Sequence, residues 1–477
     1  MEPYDLVASR YGLPFECYPY QVGAINALAP RQKSGHYLAV GVGKTATSTI
    51  SALYKREVGE IDQTIVLMPP ILLMAWHRWL QSIKGVTSMI YAGPPKKRAN
   101  MRFNTQFILM SYDIFKRDFD RIVSEVDGSR TCVIADEATA IKNIESKNYQ
   151  RVRDFTEIGH LMLLTGTPLA KILDGYAYVK SLAPSVYRSY NQFKNIHVEE
   201  EDFYGTPVTF RNLDILNRNM RVNSVRILKE DVLKELPAVT YTPLHYELED
   251  KHLALYRKLA EEKLLEYKDG TKLDATETTR LWHALQQVVC NYDYFSQDPK
   301  NLSACFDIVD QVMSELEGEQ QIGTNGEPIE GIGKKLIIFT NYKLTSRHVA
   351  EYTKKYGSVA VYGEITAANQ QKNIDRFMND PTCRVLVAQV QSAGYGLNLQ
   401  DCCSDVLFLE SPLIPTQFEQ AVGRVYRNGQ RNKVHIRVGI AEGTIQMKLL
   451  NMLMKKDHLV NQVVRNYQDI RDALFGL

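Results

Sequence analysis

Three short stretches of the sequence carry residues able to act on a phosphate. The first is Gly41-Val42-Gly43-Lys44-Thr45, which follows an apolar run (Tyr37 to Val40) and precedes a helix-compatible one (Ala46 to Tyr54). Strand, glycine turn, Lys-Thr and helix is the order of a phosphate-binding loop. There, backbone N–H groups close on the phosphate, the lysine reaches the β and γ positions and the threonine hydroxyl serves Mg²⁺. Leu38 stands where the full pattern has its first glycine, and the short pattern also fits a plain glycine turn.

The second stretch is Asp136-Glu137, at the end of the apolar run Thr131 to Ala135. A strand-end Asp can hold Mg²⁺, directly or through water, while the adjacent Glu orients or deprotonates the attacking water. A solvated turn is the bland alternative. The third holds Gln420, Arg424 and Arg427, whose spacings of four and three put them on one face of a helix. Guanidinium groups stabilise charge on a transferring γ-phosphate; the alternative is a basic face paired with acidic neighbours. Upstream, the amide of Gln21 can read an adenine edge or simply sit at a helix start.

These residues need elements to hold them. Apolar runs at 64–68, 107–110, 131–135 and 161–164 alternate with helical patterns, among them 71–83 with Trp76 and Trp79 after Pro69-Pro70. That alternation predicts a parallel sheet covered on both faces, with its chemistry at the carboxyl ends of the strands. Ser111-Tyr112, Asp136-Glu137 and Thr165-Gly166-Thr167 all lie at such ends. Residues 185–240 break the rhythm, and Phe203-Tyr204-Gly205-Thr206-Pro207 to Phe210 reads as a small aromatic hairpin. Residues 245–315 read as mainly helical and 316–335 as a mobile loop.

A second alternating series then begins, with strands at 335–339, 359–362, 384–388, 405–409 and 434–438. The expected fold is therefore α/β, with two parallel-sheet lobes, helical insertions and a C-terminal helical segment. The expected domains are a first lobe over 1–240 with a protrusion at about 185–240, a helical insertion over 241–330, a second lobe over 331–440 and bracing helices over 441–477.

Composition sets few limits. The net charge of +2 neither demands nor excludes nucleic acid. No apolar run approaches the roughly 20 residues of a membrane span. The seven cysteines are scattered without CxxC pairing, which fits a reduced compartment better than a zinc site or a disulfide framework. The expected location is the cytoplasm of a bacterium or a phage-infected cell, or the nucleus in a eukaryote.

Taken in order, the motifs resemble a superfamily 2 helicase-type ATPase of the Swi/Snf group. They are Gln21, GVGKT at 41–45, Pro69-Pro70 with the two-Trp helix, Ser111-Tyr112, DEAT with Ile141-Lys142-Asn143, and LTGTPL at 164–169. Further on come Ile338-Phe339-Thr340, GYGLNL at 394–399 and QAVGRVYRNGQ at 420–430. The resemblance implies two RecA-like lobes with one ATP between them and duplex DNA across both. It implies ATP and Mg²⁺ as ligands, with Lys44, Thr45, Asp136, Glu137, Gln420, Arg424 and Arg427 serving the ATP cycle, and Thr165 and Thr167 coupling hydrolysis to movement. It implies backbone contacts to DNA from Ser111, Tyr112, Thr340, Asn341, Gly394 and Asn398, hence weak sequence preference and strong salt dependence.

Thr139 departs from the His usual in the DEAH-like box, Lys171 from a frequent Asn, and Pro412 to Pro415 from an aromatic pair. The remaining length fits no chromatin-reading module, so a compact monomeric enzyme of the phage or fork-remodelling kind is expected. Three functions compete: a helicase that unwinds forks or migrates branches, a duplex translocase that displaces proteins, and a nucleotide-dependent DNA-binding module with little turnover. In the first, residues 203–207 act as a strand-separating pin. The loop at 41–45 is expected to bind ATP alone and to hydrolyse it well only when DNA brings the second lobe to it.

Overall fold

A computed structural model describes residues 1–447 apart from 167, 170, 202–206, 233–236, 266–274, 297–302, 323–326, 394–398, 411, 413–414 and 428. The chain divides into two compact units, Met1–Lys234 and Glu235–Leu477.

The strands of the first unit are β1 (Lys33–Leu38), β2 (Gln63–Met68), β3 (Ser88–Ile90), β4 (Phe107–Ser111), β5 (Thr131–Asp136), β6 (His160–Leu164), β7 (Val198–Glu201), β8 (Pro207–Phe210) and β9 (Ser224–Ile227). Seven of them form one sheet in the order β3-β4-β2-β5-β6-β1-β9, and its neighbours all pair in parallel. The strands β2, β4, β5 and β6 are apolar and buried along nearly their whole length, as a sheet covered on both faces requires. Four helices lead the unit: α1 (Pro3–Tyr11), α2 (Pro19–Leu28), α3 (Lys44–Glu57) and α4 (Leu73–Gln81).

Three features depart from the sequence pattern. β1 is displaced toward the N-terminus: its polar half, Lys33 to His36, pairs with β6 and β9, and Ala39 and Val40 belong to the turn. Burial there holds the His36 imidazole neutral, its pKa pushed down to about 3, with Ser34 Oγ 3.3 Å from its Nε2. The short strands β3 and β9 carry no apolar run and were not expected. The hairpin begins earlier than its aromatics suggest: the acidic residues Glu199 to Glu201 form its first strand, β7, antiparallel to β8.

The second unit contains β10 (Val239–Tyr246), β11 (Gln320–Ile322), β12 (Pro328–Gly333), β13 (Leu336–Thr340), β14 (Ser358–Val361), β15 (Val385–Gln389), β16 (Asp405–Phe408) and β17 (Val434–Ala441). Six of these form a second parallel sheet, β10-β17-β16-β13-β15-β14. β10 begins before the expected lobe border at residue 240, because it pairs with β17 along eight residues. The helices Asp250–Leu265, Ala275–Cys290 and Cys305–Glu317 supply apolar residues to the core on this sheet, including the fully buried Trp282. Within the segment expected as a mobile loop, 316–335, β11 and β12 form an antiparallel ribbon. The expected C-terminal helices fall mostly on 448–477, outside the described residues.

Candidate active site

The carboxyl edge of the first sheet gathers the phosphate-loop residues, the paired carboxylates and the expected coupling residues on three adjacent strands, β1, β6 and β5. With strands about 4.8 Å apart, the ends of β1 and β5 lie about 10 Å from each other.

The turn after β1 is built by glycine. Gly41 and Gly43 adopt φ of +87° and +96°, a region that L side chains avoid. Val42 N closes the turn on Ala39 O at 3.2 Å. α3 starts at Lys44 directly after Gly43, so the N–H groups of its first turn and its positive dipole end face the turn. Lys44 Nζ donates to Leu38 O at 3.1 Å, across the mouth of the loop.

Gln21 ties this turn to the preceding helix. α2 begins at Pro19, a residue preorganised for a first helical position. The Gln21 Oε1 accepts from Tyr18 N at 3.0 Å, and its Nε2 donates to Val42 O at 3.1 Å. One amide thus caps α2 and holds the phosphate loop, with one N–H and one lone pair left over for a base edge.

At the end of β6, Thr165 N donates to His36 O at 3.4 Å, and Thr165 is fully buried. Gly166 lies against the loop: a Cβ there would be 3.3 Å from Val40 N and 3.5 Å from Leu38 O. Thr167 lies outside the described residues.

At the end of β5, Asp136 is held at all three of its oxygens. Oδ1 accepts from Glu137 N at 3.0 Å, Oδ2 from Trp76 Nε1 at 2.8 Å, and the backbone oxygen from the Tyr112 hydroxyl at 2.9 Å. Burial, with Asp136 and Glu137 nearby, drives the Tyr112 pKa well above its ordinary value, so it remains a donor. Glu137 adopts φ +51°, the left-handed region that costs a non-glycine residue about 1–3 kcal/mol. This residue forms the turn between β5 and the Ala138–Ile141 helical turn. Thr139, where the family usually has His, donates from Oγ1 back to Glu137 O at 3.4 Å.

The oxygens of Thr45 and Asp136 suit Mg²⁺, which binds few protein carboxylates and completes its shell with water and substrate phosphates. Among the described residues no group of His, Cys, Asp and Glu forms a self-sufficient metal cage.

Ser111 and Tyr112, expected at DNA, are buried in the first lobe: the Ser111 hydroxyl caps the following helix through Ile114 N at 3.2 Å. The second lobe shows the same at Thr340 and Asn341. Thr340 Oγ1 lies 2.7 Å from Ser346 Oγ, and Gln389 Nε2 donates to Asn341 O at 3.2 Å. These four side chains shape strand ends rather than lie on the surface, while Gly394 and Asn398 lie outside the described residues.

Beneath Asn341 sits a carboxylate the sequence reading passed over. Glu410, fully buried, accepts from Asn341 N at 2.9 Å, Tyr342 N at 3.2 Å and Thr345 Oγ1 at 2.6 Å. Burial pushes its pKa up to about 7, against the lowering effect of those three donors.

Gln420 lies on the helix Pro415–Val422, but Arg424 and Arg427 follow its end, correcting the single helical face expected from their spacing. The chain tightens there into three-residue turns, Arg424 N to Ala421 O at 3.1 Å and Val425 N to Val422 O at 3.1 Å. Arg424 O accepts from Leu399 N at 3.1 Å, which anchors the segment to the loop after β15. Burial, then the neighbouring Arg424, lowers the Arg427 pKa to about 10, still charged at neutral pH.

A family model described as the SNF2-related domain matches residues 20–294, and one described as the helicase conserved C-terminal domain matches 325–429. A Bacillus subtilis protein named uncharacterized ATP-dependent helicase YqhH is 24% identical over 483 residues, spanning 98% of this chain and 82% of that protein. The CHD3-type chromatin-remodeling factor CHR7 of Arabidopsis thaliana is 24% identical, and this chain spans 38% of its length. A solved Sulfolobus solfataricus SWI2/SNF2 ATPase core in complex with dsDNA aligns over 97% of this chain and 98% of its own, at 21% identity and a TM-score of 0.44.

Proposed function

The chain belongs to the SNF2-related family, and from that premise we propose that it is an ATP-driven DNA translocase that moves on duplex or branched DNA and remodels forks and junctions. One observation supports this above the others: the loop after β1, Thr165-Gly166 after β6 and Asp136-Glu137 after β5 lie on adjacent strands, with Gly166 against the loop. A change at the phosphates therefore bears directly on the coupling segment.

The residues divide the work as follows. The loop N–H groups and Lys44 bind and orient the triphosphate. Thr45 and Asp136 would hold a magnesium ion, which would neutralise phosphate charge when bound. Glu137 takes a proton from the attacking water or orients it. Gln420, Arg424 and Arg427 supply positive charge and hydrogen bonds to the transferring phosphoryl group. Main-chain groups at the ends of β4 and β13, held in place by Ser111, Tyr112, Thr340 and Asn341, meet the DNA backbone.

A second reading is translocation on duplex without strand separation. The observation favouring it is β7, whose Glu199, Glu200 and Glu201 are exposed and put negative charge on the stem of the hairpin. The proposed pin residues Phe203 to Thr206 lie outside the described residues, and Pro207 opens β8.

ATPase rates on single strand, duplex and fork, with strand displacement from a fork and third-strand displacement from a triplex, separate the readings. Fork unwinding supports the first; triplex displacement without fork unwinding supports the second; neither, with tight ATP-dependent DNA binding, leaves only a binding module.

A further inference from the structure

We propose that Trp76 is a positioning residue for the Asp136 carboxylate, and that its indole N–H sets how well the first lobe accepts the divalent cation that accompanies ATP. The proposal rests on the reading of Asp136 as the cation-holding carboxylate.

Trp76 lies on α4, is 3% exposed, and donates from Nε1 to Asp136 Oδ2 at 2.8 Å. An indole N–H only donates, so this contact has one direction and one geometry. Donation to an ionised carboxylate is charge-assisted, short and strong. It occupies one lone pair of Oδ2, while Glu137 N occupies one of Oδ1. The carboxylate plane is thereby fixed from two sides, by one donor on each oxygen. Without the indole, one side of a buried carboxylate loses its fixed partner and the side chain gains freedom to turn.

α4 has its own attachment. Trp79, three residues on, donates from Nε1 to Thr49 Oγ1 at 3.1 Å, and Thr49 lies on α3, the helix that begins at Lys44 and Thr45. Residues three apart share a helix face. The Trp79 bond and the packing of Phe15 against its ring, centroids 4.7 Å apart and planes tilted by 36°, keep α4 in place when only the Trp76 N–H is removed.

The test compares the full chain carrying Trp76, Trp76→Phe, or at position 76 the tryptophan isostere in which sulfur replaces the N–H. In a Glu137→Gln background, binding of a fluorescent ATP analogue is titrated with Mg²⁺ after a measurement in EDTA. For both replacements the affinity in EDTA is expected to stay within about twofold, and the Mg²⁺ needed for half-maximal gain in affinity to rise about tenfold, the scale at which outer-shell partners act on a metal site. An isostere with the Trp76 Mg²⁺ requirement overturns the proposal, whatever Trp76→Phe does, because it assigns the residue to packing. If Mg²⁺ changes nucleotide affinity in none of the three while the nucleotide binds, the reading of Asp136 itself falls.

Discussion

A Cβ at Gly43 would lie 2.1 Å from Gln21 Nε2, the same atom that donates to Val42 O. The phosphate loop and the upstream glutamine are thus one unit, and glycine is the residue that lets them meet. Gly43→Ala adds a left-handed alanine, costing about 1–2 kcal/mol, and pushes the amide off its carbonyl. We expect nucleotide affinity to fall by at least tenfold, read by fluorescence anisotropy of an ATP analogue. Adding Gln21→Ala relieves the clash but not the backbone strain, so affinity should not return.

The proposed roles separate hydrolysis from binding. Glu137→Gln is expected to keep ATP affinity within about threefold and to cut turnover by about 100-fold or more. Arg427→Ala should behave alike, as a loss of kcat rather than of binding. Unchanged steady-state hydrolysis in either variant would remove that residue from the chemistry.

Glu410 makes the stability of the second lobe depend on pH. Its carboxyl goes from an ordinary 4.5 to about 7 on folding. Between those values the folded chain holds a proton that the unfolded chain has lost, so this group's contribution to stability falls as pH rises from about 4.5 to about 7, then stays level. Glu410→Gln keeps an oxygen for Asn341 N and Tyr342 N and removes the titration. Denaturant unfolding of variant and parent from pH 4.5 to 8 should show their difference moving in the variant's favour by about 3 kcal/mol; a constant difference would place the titration elsewhere.

The fork-remodelling reading assigns strand separation to the hairpin of β7 and β8. Replacing Phe203 and Tyr204 with Ala removes the rings the pin reading needs and keeps the length of chain between the paired strands. The fork-remodelling reading expects DNA-stimulated ATPase within about twofold of the parent and fork unwinding reduced at least tenfold. Equal loss of both activities would make the tip structural.

The motif residues were legible in the sequence because their types are dictated by chemistry and their places by strand ends. Asp136 and Thr165 each stand at the end of a strand whose apolar run announces it. What the sequence hid was set by tertiary pairing. The polar half of β1 is a strand because β6 and β9 flank it, and β7 is a strand despite its glutamates because β8 pairs with it. The 71–83 pattern places Trp76 and Trp79 on a helix without assigning their N–H groups; the available signal was a pair of indoles, each needing a hydrogen-bond partner when buried. Glu410 resembled any strand-end carboxylate until three donors from one segment, residues 341–345, converged on it. The Arg424 and Arg427 spacing was compatible with a helix, but the helix stops at Val422.

The central claim is that ATP hydrolysis by the first-lobe site is driven by DNA. It is tested most directly by the ATPase rate of the full chain with and without saturating duplex DNA, at low and at raised salt. The account predicts at least a tenfold stimulation that fades as salt weakens backbone contacts. A rate that duplex and forked DNA leave unchanged at every salt concentration would contradict it.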